Sequence, residues 1–146
     1  MPDKSFETAI QFFSVPTPTG IIVRLPLVTV TLIQPNGTRI DLPLMFDTGA
    51  STTTLRHDLY PLLGLTNWDV GQPLQTLTAG SAAPIPCYRY QTTLEFLGKA
   101  VTCPIHLQVL PAHPLYVGLF GREGIFDRFG FGFWESTHEI YATTSP

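Results

Sequence analysis

An all-β, barrel-like domain is what this sequence predicts, and three observations carry that reading. Several runs alternate apolar and polar residues with the period of a strand, Gly-containing turns separate them, and only one late segment shows helical spacing. With 12 Gly and 14 Pro in 146 residues the chain is heavily punctuated. At roughly 100 to 150 residues per domain it makes one domain. We divide it into an extended arm over 1–20 and a single domain over 21–146.

The arm has weak periodicity and a Val15-Pro16-Thr17-Pro18-Thr19-Gly20 run. From Leu25 to Ile33, Val28, Val30 and Leu32 alternate with Thr29 and Thr31, and Pro35-Asn36-Gly37 reads as a hairpin turn because Asn and Gly tolerate positive φ. The return strand sets Ile40, Leu42, Leu44 and Phe46 against Arg39 and Asp41, and runs directly into Asp47-Thr48-Gly49-Ala50. Ser51 to Leu55 fits a further strand, and Asp58 to Leu65 fits one helical turn or a tight loop closed by Gly64. Little pattern follows until Leu74 to Thr78. The small residues Ala79-Gly80-Ser81-Ala82-Ala83-Pro84 then suit a mobile loop tip. A second hairpin joins Tyr88–Leu97 to Val101–Val109 through Gly98-Lys99, with His106 on the polar face of its return strand. Leu115 to Phe120 is a short apolar strand that stops at Gly121. Ile125, Phe126 and Phe129 predict one short C-terminal helix over Arg122–Phe129, and strands at Phe131–Glu135 and around Ile140 and Tyr141 finish the chain.

Composition narrows the function classes. Charged residues make up 13% of the chain, against about 25% in an ordinary soluble domain. A net charge of -3 with two lysines excludes a binder of nucleic acid, whose affinity needs clustered cations. No window approaches the roughly 18 apolar residues of a membrane span, and Met-Pro-Asp-Lys-Ser lacks the layout of a signal peptide, so a cytoplasmic protein without a membrane partner is expected. Cys87 and Cys103 make no disulfide framework, and His57, His106, His113 and His138 are not spaced to converge on a metal. No metal and no cofactor are expected.

Chemistry concentrates at Asp47. An apolar strand leads a carboxylate into a Thr-Gly turn, a costly placement unless hydrogen bonds or a proton neutralise the charge. Asp-Thr/Ser-Gly occurs by chance in roughly one chain in fifteen of this length, so the tripeptide needs company. Leu119-Phe120-Gly121-Arg122 supplies it, as a second apolar strand ending in Gly.

With these two motifs in place, the chain resembles the retropepsin family of aspartic proteases, and its small cellular, prokaryote-type members more than the retroviral ones. The match is Phe46-Asp47-Thr48-Gly49-Ala50 with Leu119-Phe120-Gly121-Arg122, followed by Ile125 to Phe129; overall it spans roughly residues 21 to 135. The resemblance implies a retropepsin-like closed β-barrel subunit acting as a C2 homodimer. Aspartic protease chemistry needs two carboxylates sharing a proton, and only one Asp-Thr-Gly is present, so each subunit would contribute one Asp47. The resemblance implies a catalytic Asp47, with Thr48, Gly49, Ala50, Leu119, Phe120 and Gly121 shaping the active site. A flap around Ala79, Gly80 and Ser81 would close over an extended peptide or unfolded protein substrate, held with alternate side chains in apolar pockets. Where retroviral members often carry an acid, Ser51 stands, so Arg122 must find another partner, and Glu123 replaces the usual Asp or Asn. Two other readings stay open: a catalytically silent dimeric peptide-binding module on the same fold, and a β-barrel that carries the tripeptide by accident.

Overall fold

The computed structural model describes residues 5–77 and 82–146. Among the described residues twelve strands form: β1 (Thr8–Gln11), β2 (Phe13–Pro16), β3 (Ile22–Leu25), β4 (Leu27–Ile33), β5 (Arg39–Phe46), β6 (Thr53–Arg56), β7 (Gln72–Thr76), β8 (Ile85–Phe96), β9 (Lys99–Gln108), β10 (Gly118–Phe120), β11 (Gly130–Trp134) and β12 (Glu139–Thr143). A 3-10 helix over His57–Leu63 separates β6 from β7 and ends at Gly64, whose N–H donates to Pro61 O and whose φ of 73° lets the Leu65 N–H turn back to Tyr60 O. The chain is mostly β, and no described helix is long and apolar enough to cross a membrane.

The main sheet has the order β4-β5-β10-β6-β9-β8-β7, and β4 pairs with β8 as well as with β5. Alternation decides its inner face. Val28, Val30 and Leu32 on β4, Leu42, Leu44 and Phe46 on β5, and Val101, Cys103, Ile105 and Leu107 on β9 are all buried together. The hairpin turns form at the expected places. Gln34 bonds Thr38 across Asn36-Gly37, and the β8–β9 turn centres on Leu97-Gly98, one residue earlier than the composition of Gly98-Lys99 suggested. Both central residues there have positive φ, 51° and 77°, the geometry of the tight two-residue hairpin.

One sequence expectation is corrected. Residues 122–129 are successive turns, not a regular helix: Phe126 and Phe129 N–H groups reach back to Arg122 and Ile125, but Gly124 between them sits at φ 74° and interrupts the run. The apolar spacing that suggested a helix still works as packing, because Ile125 and Phe129 are buried in the core. The segment expected as an extended arm is extended, yet paired within its own chain. β1 lies on β12 in a three-stranded sheet with β11, and β2 pairs with β3.

An aromatic cluster anchors the end of β5. Phe46 packs its ring against Phe120 at 5.8 Å, Phe126 at 5.5 Å, Phe131 at 4.7 Å and Phe133 at 4.8 Å between centroids. These contacts hold the residue before Asp47 from four sides, so the turn that follows starts from a fixed point.

Candidate active site

The Asp47 turn is built by three strands. β5 leaves the core at Phe46, the chain turns through 47–50, and it returns as β6; β10 slots between them, parallel to β5 and antiparallel to β6. Asp47 N–H donates to Phe120 O at 3.1 Å, and Arg122 and Glu123 N–H groups donate to Ala50 O and Ser51 O at 3.0 and 2.8 Å. Gly121 N–H donates to the Thr53 hydroxyl at 3.1 Å. The backbone polar groups that a sharp turn would otherwise strand are thus satisfied by the apolar-apolar-Gly segment. The structure brings Asp47, Gly49, Ala50 and Leu119 onto one pocket, with Phe120 and Gly121 buried behind them.

Within the turn, Gly49 N–H donates to Asp47 Oδ1 at 2.9 Å. A Cβ on Gly49 would stand 3.2 Å from that oxygen, so the small residue lets backbone and carboxylate approach closely. Thr48 and Gly49 are exposed, and Asp47 is half-buried. The carboxylate therefore has one oxygen anchored by the backbone at the edge of a cavity of about 380 Å³. Ala79, Gly80 and Ser81, expected as the flap, lie outside the described residues; the neighbouring Thr76 and Leu77 line the same cavity.

The cavity wall is mainly apolar, with Ala50, Leu77, Leu110 and Leu119, and carries a polar set beside them. Thr52, Thr54, Thr76, His106 and Gln108 all line it. His106 does fall on the face of β9 opposite the core, as its alternation predicts, but that face looks into the cavity and the side chain is buried. Arg89 on β8 stands opposite His106 in register. Its guanidinium holds Glu123 through two bonds of 3.0 and 2.5 Å, and the Thr52 hydroxyl donates to the same carboxylate at 2.8 Å. Arg122, which was expected to find another partner, is exposed and uses its backbone in the turn; Arg89 and Glu123 form an ion pair at this site.

The Arg89 guanidinium, helped by the Thr52 hydroxyl, holds the Glu123 carboxyl down to about 2. Burial first, and the Arg89 charge second, push His106 below the usual imidazole value. Because the folded Glu123 titrates below the ordinary 4.5, its ion pair stabilises fully above that value, and the contribution disappears as pH falls toward 2. Glu123→Gln is expected to lower stability at pH 7 by about 1 kcal/mol, a figure discounted for the half-exposed carboxylate. Thermal melts of both proteins from pH 7 to pH 2 check this. The gap should close below pH 4.5, and a gap that widens there would contradict the ion pair as its cause.

Sequence reasoning missed Thr52, Arg89 and Gln108 as site residues and gave Glu123 no partner. Arg89 and Gln108 stand on the non-core faces of β8 and β9, and Thr52 just before β6; alternation marks such positions as polar without telling water from cavity.

A family model described as aspartyl protease matches residues 28–123. No curated protein matches the chain. Among solved structures, a retropepsin-like aspartic protease from Rickettsia conorii superposes with a TM-score of 0.58 at 18% identity, covering 100% of both chains. EIAV protease complexed with the inhibitor HBY-793 gives a TM-score of 0.47 at 22% identity, over 67% of this chain and 82% of that one. The family match spans both the strand that delivers Asp47 and the strand that holds its turn, and the Rickettsia structure shares the overall fold. This chain belongs to the aspartyl protease family and has a retropepsin-like fold.

Proposed function

We propose that the protein is a homodimeric aspartic endopeptidase that cleaves extended peptide or unfolded protein segments, with Asp47 of each subunit forming the catalytic pair. The observation that carries this reading is the Asp47 turn itself: a carboxylate with one oxygen held at 2.9 Å by Gly49 N–H, on a backbone locked to β10, at the edge of an open cavity. One such carboxylate is half of the machinery. In a C2 dimer one Asp47 takes a proton from the attacking water while the other, protonated, donates to the scissile carbonyl; no covalent intermediate and no cofactor are needed. The exposed Thr48 would lock the two turns across the two-fold axis, and a flap around Ala79, Gly80 and Ser81 would close over the peptide. In the same reading residues 21–146 are the protease domain. Its subunit is a closed barrel, a closure supported by β4 pairing with both β5 and β8.

Cleavage of a diverse peptide pool, followed across pH and protein concentration, tests this function. The rate should fall toward alkaline pH as the shared proton is lost, and specific activity should drop on dilution because the active species is the dimer. A strictly monomeric protein that still cuts peptide would overturn the two-carboxylate mechanism. Binding of peptides without cleavage at any pH would instead identify a silent peptide-binding module.

A further inference from the structure

The wall of the Asp47 cavity carries a hydrogen-bonding pattern that the cleavage chemistry does not use. On β9 the residues Val101, Cys103, Ile105 and Leu107 fill the core, so His106 and Gln108 stand on the cavity face. Both are polar and almost fully covered, His106 at 6% and Gln108 at 4% exposure. Groups buried to that degree are normally fully paired, and these two are paired on one side only.

Arg89 Nη1 lies 3.3 Å from His106 Nε2. A guanidinium can only donate, so Nε2 must accept, and the ring proton of the neutral imidazole resides on Nδ1. Among the described residues Nδ1 has no partner, while the ring borders the cavity. Gln108 is turned in the same sense. The Thr76 hydroxyl donates to its Oε1 at 3.2 Å, which leaves the amide NH2 to donate elsewhere. Two neutral N–H donors therefore border one cavity, and the positive charge behind them is already balanced, since Glu123 takes both arms of Arg89.

Resting on the peptidase reading, we infer that this cavity selects a peptide side chain with an uncharged carbonyl acceptor, Asn or Gln, and that His106 is the specificity-determining residue. An aliphatic side chain would gain contact with Leu77, Leu110 and Leu119 but strip water from both donors without replacing their bonds, a mismatch that buried sites penalise heavily. A carboxylate could accept the same bonds, but it would be desolvated beside Arg89–Glu123, a pair with no spare positive charge to balance it. The amide satisfies the donors without that penalty. Arg89 is a positioning residue in this arrangement: it touches no substrate and sets which ring nitrogen of His106 carries the proton.

The test uses a peptide library varied on both sides of the cleaved bond. Wild-type protein should favour Asn or Gln over Leu at one position by about tenfold or more in kcat/KM. His106→Leu should bring that ratio to one or below, and His106→Asn, which keeps an N–H there, should restore part of it. A wild-type preference for Leu or Asp at every position, or a ratio unchanged in His106→Leu, overturns the proposal. The ring 15N shifts of His106 in the uncut wild-type protein give a readout independent of activity. Protonation at Nδ1 is expected, and protonation at Nε2 overturns the proposal. If no peptide is cut at all, the peptidase reading fails by itself, and titration of Gln- and Leu-containing peptides into the Asp47→Asn protein decides the cavity chemistry. Tighter binding of the Gln peptide supports it, and equal affinity overturns it.

Discussion

Asp47→Asn is expected to lower peptide cleavage by about a thousandfold or more while leaving the subunit folded and dimeric. Asn has the shape of Asp, and its Oδ1 can still accept the Gly49 N–H that now bonds Asp47 Oδ1 at 2.9 Å. The turn, its bond from Asp47 N–H to Phe120 O and the Phe46 ring cluster stay as they are. What the substitution removes is the ability to take and give a proton, a contribution worth about 10² to 10⁴ in rate by itself. In a C2 dimer both copies are lost at once. Single-turnover cleavage of the best peptide, with circular dichroism and sedimentation of the same samples, separates chemistry from folding. An Asn protein that is folded, dimeric and retains a tenth of the wild-type rate would remove Asp47 from the mechanism.

The second large effect is structural. Gly121→Ala is expected to destabilise the chain by about 3 kcal/mol or more, at the upper end of overpacking in a tight core. A Cβ at this position would meet the Thr52 carbonyl carbon at 2.4 Å, its oxygen at 2.6 Å and Thr53 N at 2.7 Å, all of them backbone atoms with no rotamer to escape into. Relief requires β10 to move away from β6, which breaks the Gly121 N–H bond to the Thr53 hydroxyl and loosens the hold of Phe120 O on the Asp47 turn. Gly37→Ala is the control. Nothing stands within 4 Å of its Cβ, and its φ of 85° makes the cost conformational, about 1 kcal/mol. Urea unfolding of both variants checks the order. A Gly121→Ala midpoint equal to that of Gly37→Ala would show that β10 and β6 are not packed as closely as described.

These two residues also show what could be read without a structure. Asp47-Thr48-Gly49 and Leu119-Phe120-Gly121 stand out because each breaks a local rule: a carboxylate at the end of an apolar strand, and a Gly ending another. Period-two alternation placed Val28, Val30, Leu32, Leu42, Leu44 and Phe46 in the core, where all six are buried. The same reasoning over-read Arg122–Phe129, since helical spacing of Ile125 and Phe129 is equally satisfied by two successive turns, the first of which contains a left-handed Gly124.

By itself the sequence determined the all-β class, the core faces of the long strands and the two segments that meet at Asp47, because alternation and turn chemistry are local and need no partner to be legible. Only the tertiary structure decided that Arg89 rather than Arg122 makes the ion pair, that Glu123 is its acid, and that His106 and Gln108 face a cavity. Those assignments depend on strand register, Arg89 against His106 and Thr54 against His106, across 17 and 52 residues of chain. A slip of one residue would turn each of these side chains to the opposite face, and nothing local in the sequence distinguishes the two registers.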